Sequence, residues 1–220
     1  ETKRVLLIRD AAVAYIRRMG ITALWVSSVL GILVSFLPLF RAYGHSVNPL
    51  LGITFVLATW FTVAVSLTAI YFIHPVTLRI LSKTEHHEDG LRFYVYLVPV
   101  LFATSITAAF LLMALMVHHW LGLLYLVSAV AGVSLAGLLL RVAGGVFTAA
   151  ADIGAALVQH EHPQVPEAAR VTSYLNQLGD HVRDLCGFPL DAVSSLLVVI
   201  LAGMILLSGN DFESVSQHTF

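Results

Sequence analysis

Asp180, Asp184 and Asp191 are separated by four and seven residues, spacings that place three carboxylates on one face of an α-helix. Asn176 lies one turn before Asp180. Carboxylates aligned in this way can hold Mg²⁺ against phosphate oxygens, or relay protons if they lie deeper in a bilayer. A solvated acidic helix start, favoured by the helix dipole, produces the same spacing. Asp152 is a further acid, at the end of a stretch of small and apolar residues that also carries Arg141. At mid-bilayer an arginine costs about 2.5–3.5 kcal/mol on insertion scales. Arg141 therefore needs a buried partner or a water-filled cavity, or else it lies deep in a long helix whose end protrudes into the cytoplasm.

The histidines offer a second chemistry. His86 and His87 stand beside Glu88 and Asp89, and His160 and His162 flank Glu161, so two connections could converge on Zn²⁺ or a similar ion. Their spacings match no defined ligand pattern, and solvated loop histidines read the same way. His118 and His119, next to Trp120, could in principle ligate a haem or chlorophyll, but no paired mid-membrane spacing supports a pigment site. The chain contains no GxSxG, Walker A, GxGxxG or HExxH motif. Cys186 is the single cysteine, which excludes an intrachain disulfide and a thiolate zinc site.

The elements that position these groups follow from composition. Of 220 residues, 58% are hydrophobic and 11% charged, against about 25% charged in an ordinary soluble domain. The mean hydropathy of +0.87 arises from several long apolar blocks. This is the composition of an all-α, polytopic membrane helix bundle. A net charge of −1 leaves no basic surplus for a phosphate backbone, and nucleic acid is excluded as a partner. Membrane lipids and other integral membrane subunits are the expected partners. The N-terminus lacks an initiator Met and a signal-peptide pattern, which points to a trimmed chain.

Five spans are expected: Gly20 to Phe40, Leu50 to Ile73, Phe93 to Val117, Leu121 to about Leu157, and Gly187 to Leu207. Pro75 should follow the second, and His118, His119 and Trp120 should mark an interfacial turn. Trp25, Trp60 and Trp120 read as packing and interface anchors. The fourth span is rich in Gly, Ala and Ser, which allow close helix approach, so it belongs inside the bundle. Ten of the twelve Lys and Arg residues fall on one side of this topology; Arg41 is on the other and Arg141 is within a span. The positive-inside rule places that side in the cytoplasm, as expected for a bacterial inner membrane, with the C-terminus outside.

Residues 1–19 form a cytoplasmic amphipathic helix in this reading, with Lys3, Arg4, Asp10, Arg17 and Arg18 opposite Val5, Ile8, Ala12, Ile16 and Met19. It would lie on the anionic leaflet or dock on a partner. Residues 20–208 make up the five-span domain, with cytoplasmic loops at 74–92 and 158–184. Residues 209–220 form an extracytoplasmic tail.

Two segments carry a resemblance. Residues 141–158, RVAGGVFTAAADIGAALV, resemble RVGGGIYTKAADVGADLV of the membrane-integral, ion-pumping pyrophosphatases, and residues 176–188, NQLGDHVRDLCGF, resemble that family's DNVGDNVGDxAGM. The resemblance implies a pyrophosphate site held by Mg²⁺, a Lys and several Asp residues. Asp152, Asp180 and Asp184 match family acids, whereas the Lys is Ala149, two acids are Ala156 and Asn176, and a Gly is Arg183. Arg141 and Asp191 match ion-gate positions, and the downstream gate acid is Val198.

A pyrophosphate tetra-anion needs several Mg²⁺ ions and cationic side chains to become hydrolysable. The family pump has about sixteen spans, and this chain has five, so hydrolysis by this chain alone is not expected and bound Mg²⁺ is doubtful. Arg183 is expected to pair with Asp180 or Asp184. The expected function is a non-catalytic, structural subunit of a larger membrane complex. The alternatives are one part of a split pump, or a small channel or carrier using Arg141 and the acidic face.

Overall fold

The computed structural model describes residues 2–36, 48–84, 88–161, 176, 179–180, 183–184 and 188–207. Five helices account for nearly all of them: α1 (Thr2–Ser35), α2 (Pro49–Thr84), α3 (Glu88–Leu121), α4 (Leu123–Glu161) and α5 (Phe188–Leu207). Each is long and apolar enough to cross a membrane, and the described residues contain no strand. The all-α, five-span architecture is as the hydropathy predicts.

Three boundaries differ from the sequence reading. The amphipathic stretch and the first span form one unbroken helix, α1, with Tyr15 packing on Phe147 of α4 at a ring separation of 5.6 Å. Helix α2 runs on past Pro75 to Thr84, and α3 begins at Glu88, so most of the expected 74–92 loop is helical. Proline removes one backbone hydrogen bond, a loss that long membrane helices accommodate within neighbouring turns. Helix α1 ends at Ser35, where the Phe36 amide donates to the Leu33 carbonyl in a closing turn, and residues 37–40 of the expected first span lie outside the described residues.

The hinge between α3 and α4 lies where the histidines place it. Gly122 has φ +95°, a left-handed conformation that glycine adopts without penalty, and its amide donates to the His118 carbonyl. Of the tryptophans, Trp120 lies at this turn, whereas Trp25 and Trp60 face outward from mid-span positions.

Small residues let the helices touch. Gly31 and Gly52 face each other where α1 crosses α2, leaving no room for a Cβ at Gly52, and Gly132 of α4 lies against the Phe55 carbonyl of α2. Hydroxyls fasten the same contacts: Ser128 Oγ donates to the Leu51 carbonyl at 2.7 Å, and Thr59 Oγ1 lies 3.1 Å from the Gly132 carbonyl. In lipid, where apolar surface gains little from association, such close packing and interhelical hydrogen bonds hold helices together. Helix α4 contacts all four other helices and buries Leu126, Val130, Val133 and Leu140, with Phe110 of α3 and Leu197 of α5 in the same core. The small-residue helix is thus the centre of the bundle, as its composition predicts.

Candidate functional site

Helices α4 and α5 run antiparallel, and two polar clusters occupy their shared end. Arg141 stands 18 residues beyond Leu123, or about 27 Å along α4 at 1.5 Å per residue. Asp191 stands 16 residues before Leu207, or about 24 Å along α5. Each distance is close to the thickness of a hydrocarbon core, about 30 Å. Arg17 of α1 likewise lies 18 residues before Ser35. Helix α4 continues 20 residues past Arg141, and Arg141 has a partner: its guanidinium donates to the Asp191 carboxylate. The pair is not enclosed by this chain, with the Arg141 side chain 63% and that of Asp191 35% exposed.

Farther along α4, the segment with Asn176, Asp180 and Asp184 is fastened to the helix. Its described residues, 176, 179–180 and 183–184, are helical. Buried Thr148 Oγ1 lies 2.8 Å from the Gly179 carbonyl and 3.0 Å from the Gly144 carbonyl, and donates to this pair. Gly179 is itself buried, and a Cβ on it would lie 3.2 Å from the Ala151 Cβ and 3.3 Å from the Thr148 Cα. Only a residue without a side chain fits there unless its neighbours move. This clasp brings the two resembling segments together, with Asp152 adjoining Ala151 on one side and Asp180 adjoining Gly179 on the other. Thr148 and Gly179 were not singled out in the sequence; the signal was the matching T and G in both segments.

The acids divide into separate groups. Asp191 belongs with Arg141, whereas Asp180 and Asp184 share Arg183, whose guanidinium lies 3.3 Å from each. The expected pairing of Arg183 thus engages both carboxylates. Asp152 is exposed and has no ion pair among the described residues, and Asn176 is exposed. His160 lies in the last turn of α4, exposed beside Glu161; His86, His87 and His162 lie outside the described residues.

Mg²⁺ demands near-octahedral oxygen ligation at about 2.0–2.1 Å. Among the described residues no group of three or more His, Cys, Asp or Glu side chains could hold a metal ion. The guanidinium between Asp180 and Asp184 already engages their oxygens, and the exposed α4 positions 149 and 156 are alanines. Among the described residues, Asp152, Asp180 and Asp184 do not by themselves make up a Mg²⁺–pyrophosphate cage.

No curated protein and no solved structure matches the chain. The family model of inorganic H+ pyrophosphatase matches residues 3–219, a far longer stretch than the two motif segments and one that includes all five helices. With both motifs clasped together at one end of a five-helix membrane bundle, the chain belongs to the inorganic H+ pyrophosphatase family.

Proposed function

We propose that this chain is a non-catalytic, pyrophosphatase-like membrane subunit that serves as a structural component of a larger membrane complex. The observation that carries the proposal is the open face of α4. Arg141, Gly145, Ala149, Asp152 and Ala156 recur at offsets of four, four, three and four residues, one helical stripe, and all five are exposed. The stripe has a single carboxylate, too few to neutralise and align a tetra-anion through metal ions. It also presents a half-open ion pair and, at Gly145, open space for a neighbour's side chain. Small residues let another helix approach closely, so the stripe suits contact with further membrane subunits.

The basic end, with the N-terminus, lies in the cytoplasm of a bacterial inner membrane in this proposal, supported by the distribution of Lys and Arg. The test is to purify the tagged chain from native membranes and record both its co-purifying polypeptides and its Mg²⁺-dependent phosphate release. Stable membrane partners without hydrolysis support a scaffold. Hydrolysis by the chain alone in detergent overturns it.

The same half-open Arg141–Asp191 pair favours a second reading, one part of a split ion pump. That reading requires a co-purifying polypeptide that supplies further spans, and hydrolysis that appears only when both are present.

A further inference from the structure

Two carboxylates four residues apart on a helix face repel each other when both are ionised. Asp180 and Asp184 are such a pair, on a segment held against α4 by the Thr148–Gly179 clasp, with Asp152 one residue from the contact. Negative charge is thus gathered at one end of the bundle by buried packing, and the clasp prevents the segment from drifting away to relieve it. A nearby cation relieves that repulsion. The chain supplies its own: Arg183 lies between the two acids in sequence, and its planar donor fork reaches Asp180 through one terminal nitrogen and Asp184 through Nε.

We infer that Arg183 is a permanent internal counter-ion for the Asp180–Asp184 pair, standing where a divalent cation would otherwise bridge them, so that this end of the molecule is independent of Mg²⁺. A tethered guanidinium has a high effective concentration at its site and cannot be removed by chelation. It also places a positive charge against any approaching metal ion and engages the oxygens such an ion requires. The three side chains are more than half exposed, so the pairs add little to stability on their own. Their effect is to settle which cation the acids hold. The inference deepens the non-catalytic reading and rests on it for the absence of any need for metal.

Thermal unfolding of the full chain in detergent, with and without millimolar Mg²⁺ and with EDTA, tests the inference directly. The wild type is expected to melt within 1 °C under all three conditions. Arg183→Gln frees both carboxylates, and Mg²⁺ is expected to raise its melting temperature by about 2–4 °C, as cation binding to the folded state would. That gain should vanish in the Arg183→Gln/Asp180→Asn double variant, whereas Arg183→Lys should behave as wild type. A Mg²⁺-dependent rise in the wild type overturns the inference whether or not any variant folds, and so does a folded Arg183→Gln protein indifferent to Mg²⁺. A catalytic partner found by co-purification would instead defeat the scaffold reading and leave these melting data unchanged.

Discussion

At the scale of single residues, the clasp between Thr148 and Gly179 and the pair between Arg141 and Asp191 make different demands. The Thr148 hydroxyl is buried and is the described link from α4 to the Gly179 backbone, so Thr148→Val leaves that carbonyl without this donor at nearly constant side-chain volume. A loss of about 1–3 kcal/mol is expected for an unsatisfied buried acceptor, read as faster proteolysis within 176–184 while the transmembrane helices remain folded. Asp191→Asn leaves Arg141 charged without this counter-charge. Arg141→Gln leaves the converse. Each single change should lower the melting temperature, and the double variant should lose less than the two losses added together. A double-mutant cycle measures that coupling, and strict additivity would show that the pair does not act as a unit.

Between elements, the glycine contacts are not equivalent, and their differences predict different costs. A Cβ at Gly52 would run into the Ser35 hydroxyl and into the backbone of Gly31, which cannot give way without moving α1, whereas a Cβ at Gly145 meets nothing within 4 Å. Gly52→Ala should therefore destabilise the bundle by about 1–3 kcal/mol, the range for overpacking, while Gly145→Ala should be neutral or slightly stabilising through helix propensity. Comparative thermal unfolding of the two variants checks the order. Much at this scale was legible beforehand. Charge-free runs located five spans, and the small-residue content of the fourth placed it centrally, because in lipid small size is itself the packing signal. The polar His118 and His119 located the hinge that Gly122 makes. The length of α2 was not legible, because Pro75 is a strong local stop signal that a membrane helix can override. The clasp was hidden for a different reason: a threonine bonding to a distant carbonyl leaves no periodic trace, and only the resemblance between segments hinted that 148 and 179 meet.

For the molecule as a whole, orientation and assembly have separate tests. Cys186, the single cysteine, lies in the sequence between Asp184 and Phe188, at the basic end. In the proposed topology a membrane-impermeant maleimide should label it in inside-out vesicles and leave it unlabelled in intact spheroplasts, with a denatured control to establish full reactivity. The reverse pattern would invert the topology. Assembly depends on the stripe that α4 leaves open, and Gly145 is the position at which to obstruct it. Because Gly145 has open space around it and lies about 6 Å along the helix from Arg141, a leucine there should leave the fold of the isolated chain intact while filling the gap a partner helix would use. Gly145→Leu is therefore expected to melt close to wild type in detergent yet lose its native-membrane partners on co-purification. Val199→Leu, on an exposed apolar part of α5 away from that stripe, should retain them. Equal retention by both variants would place the partner contact elsewhere, since a side chain of leucine size cannot be accommodated at a close helix crossing without separating the two backbones.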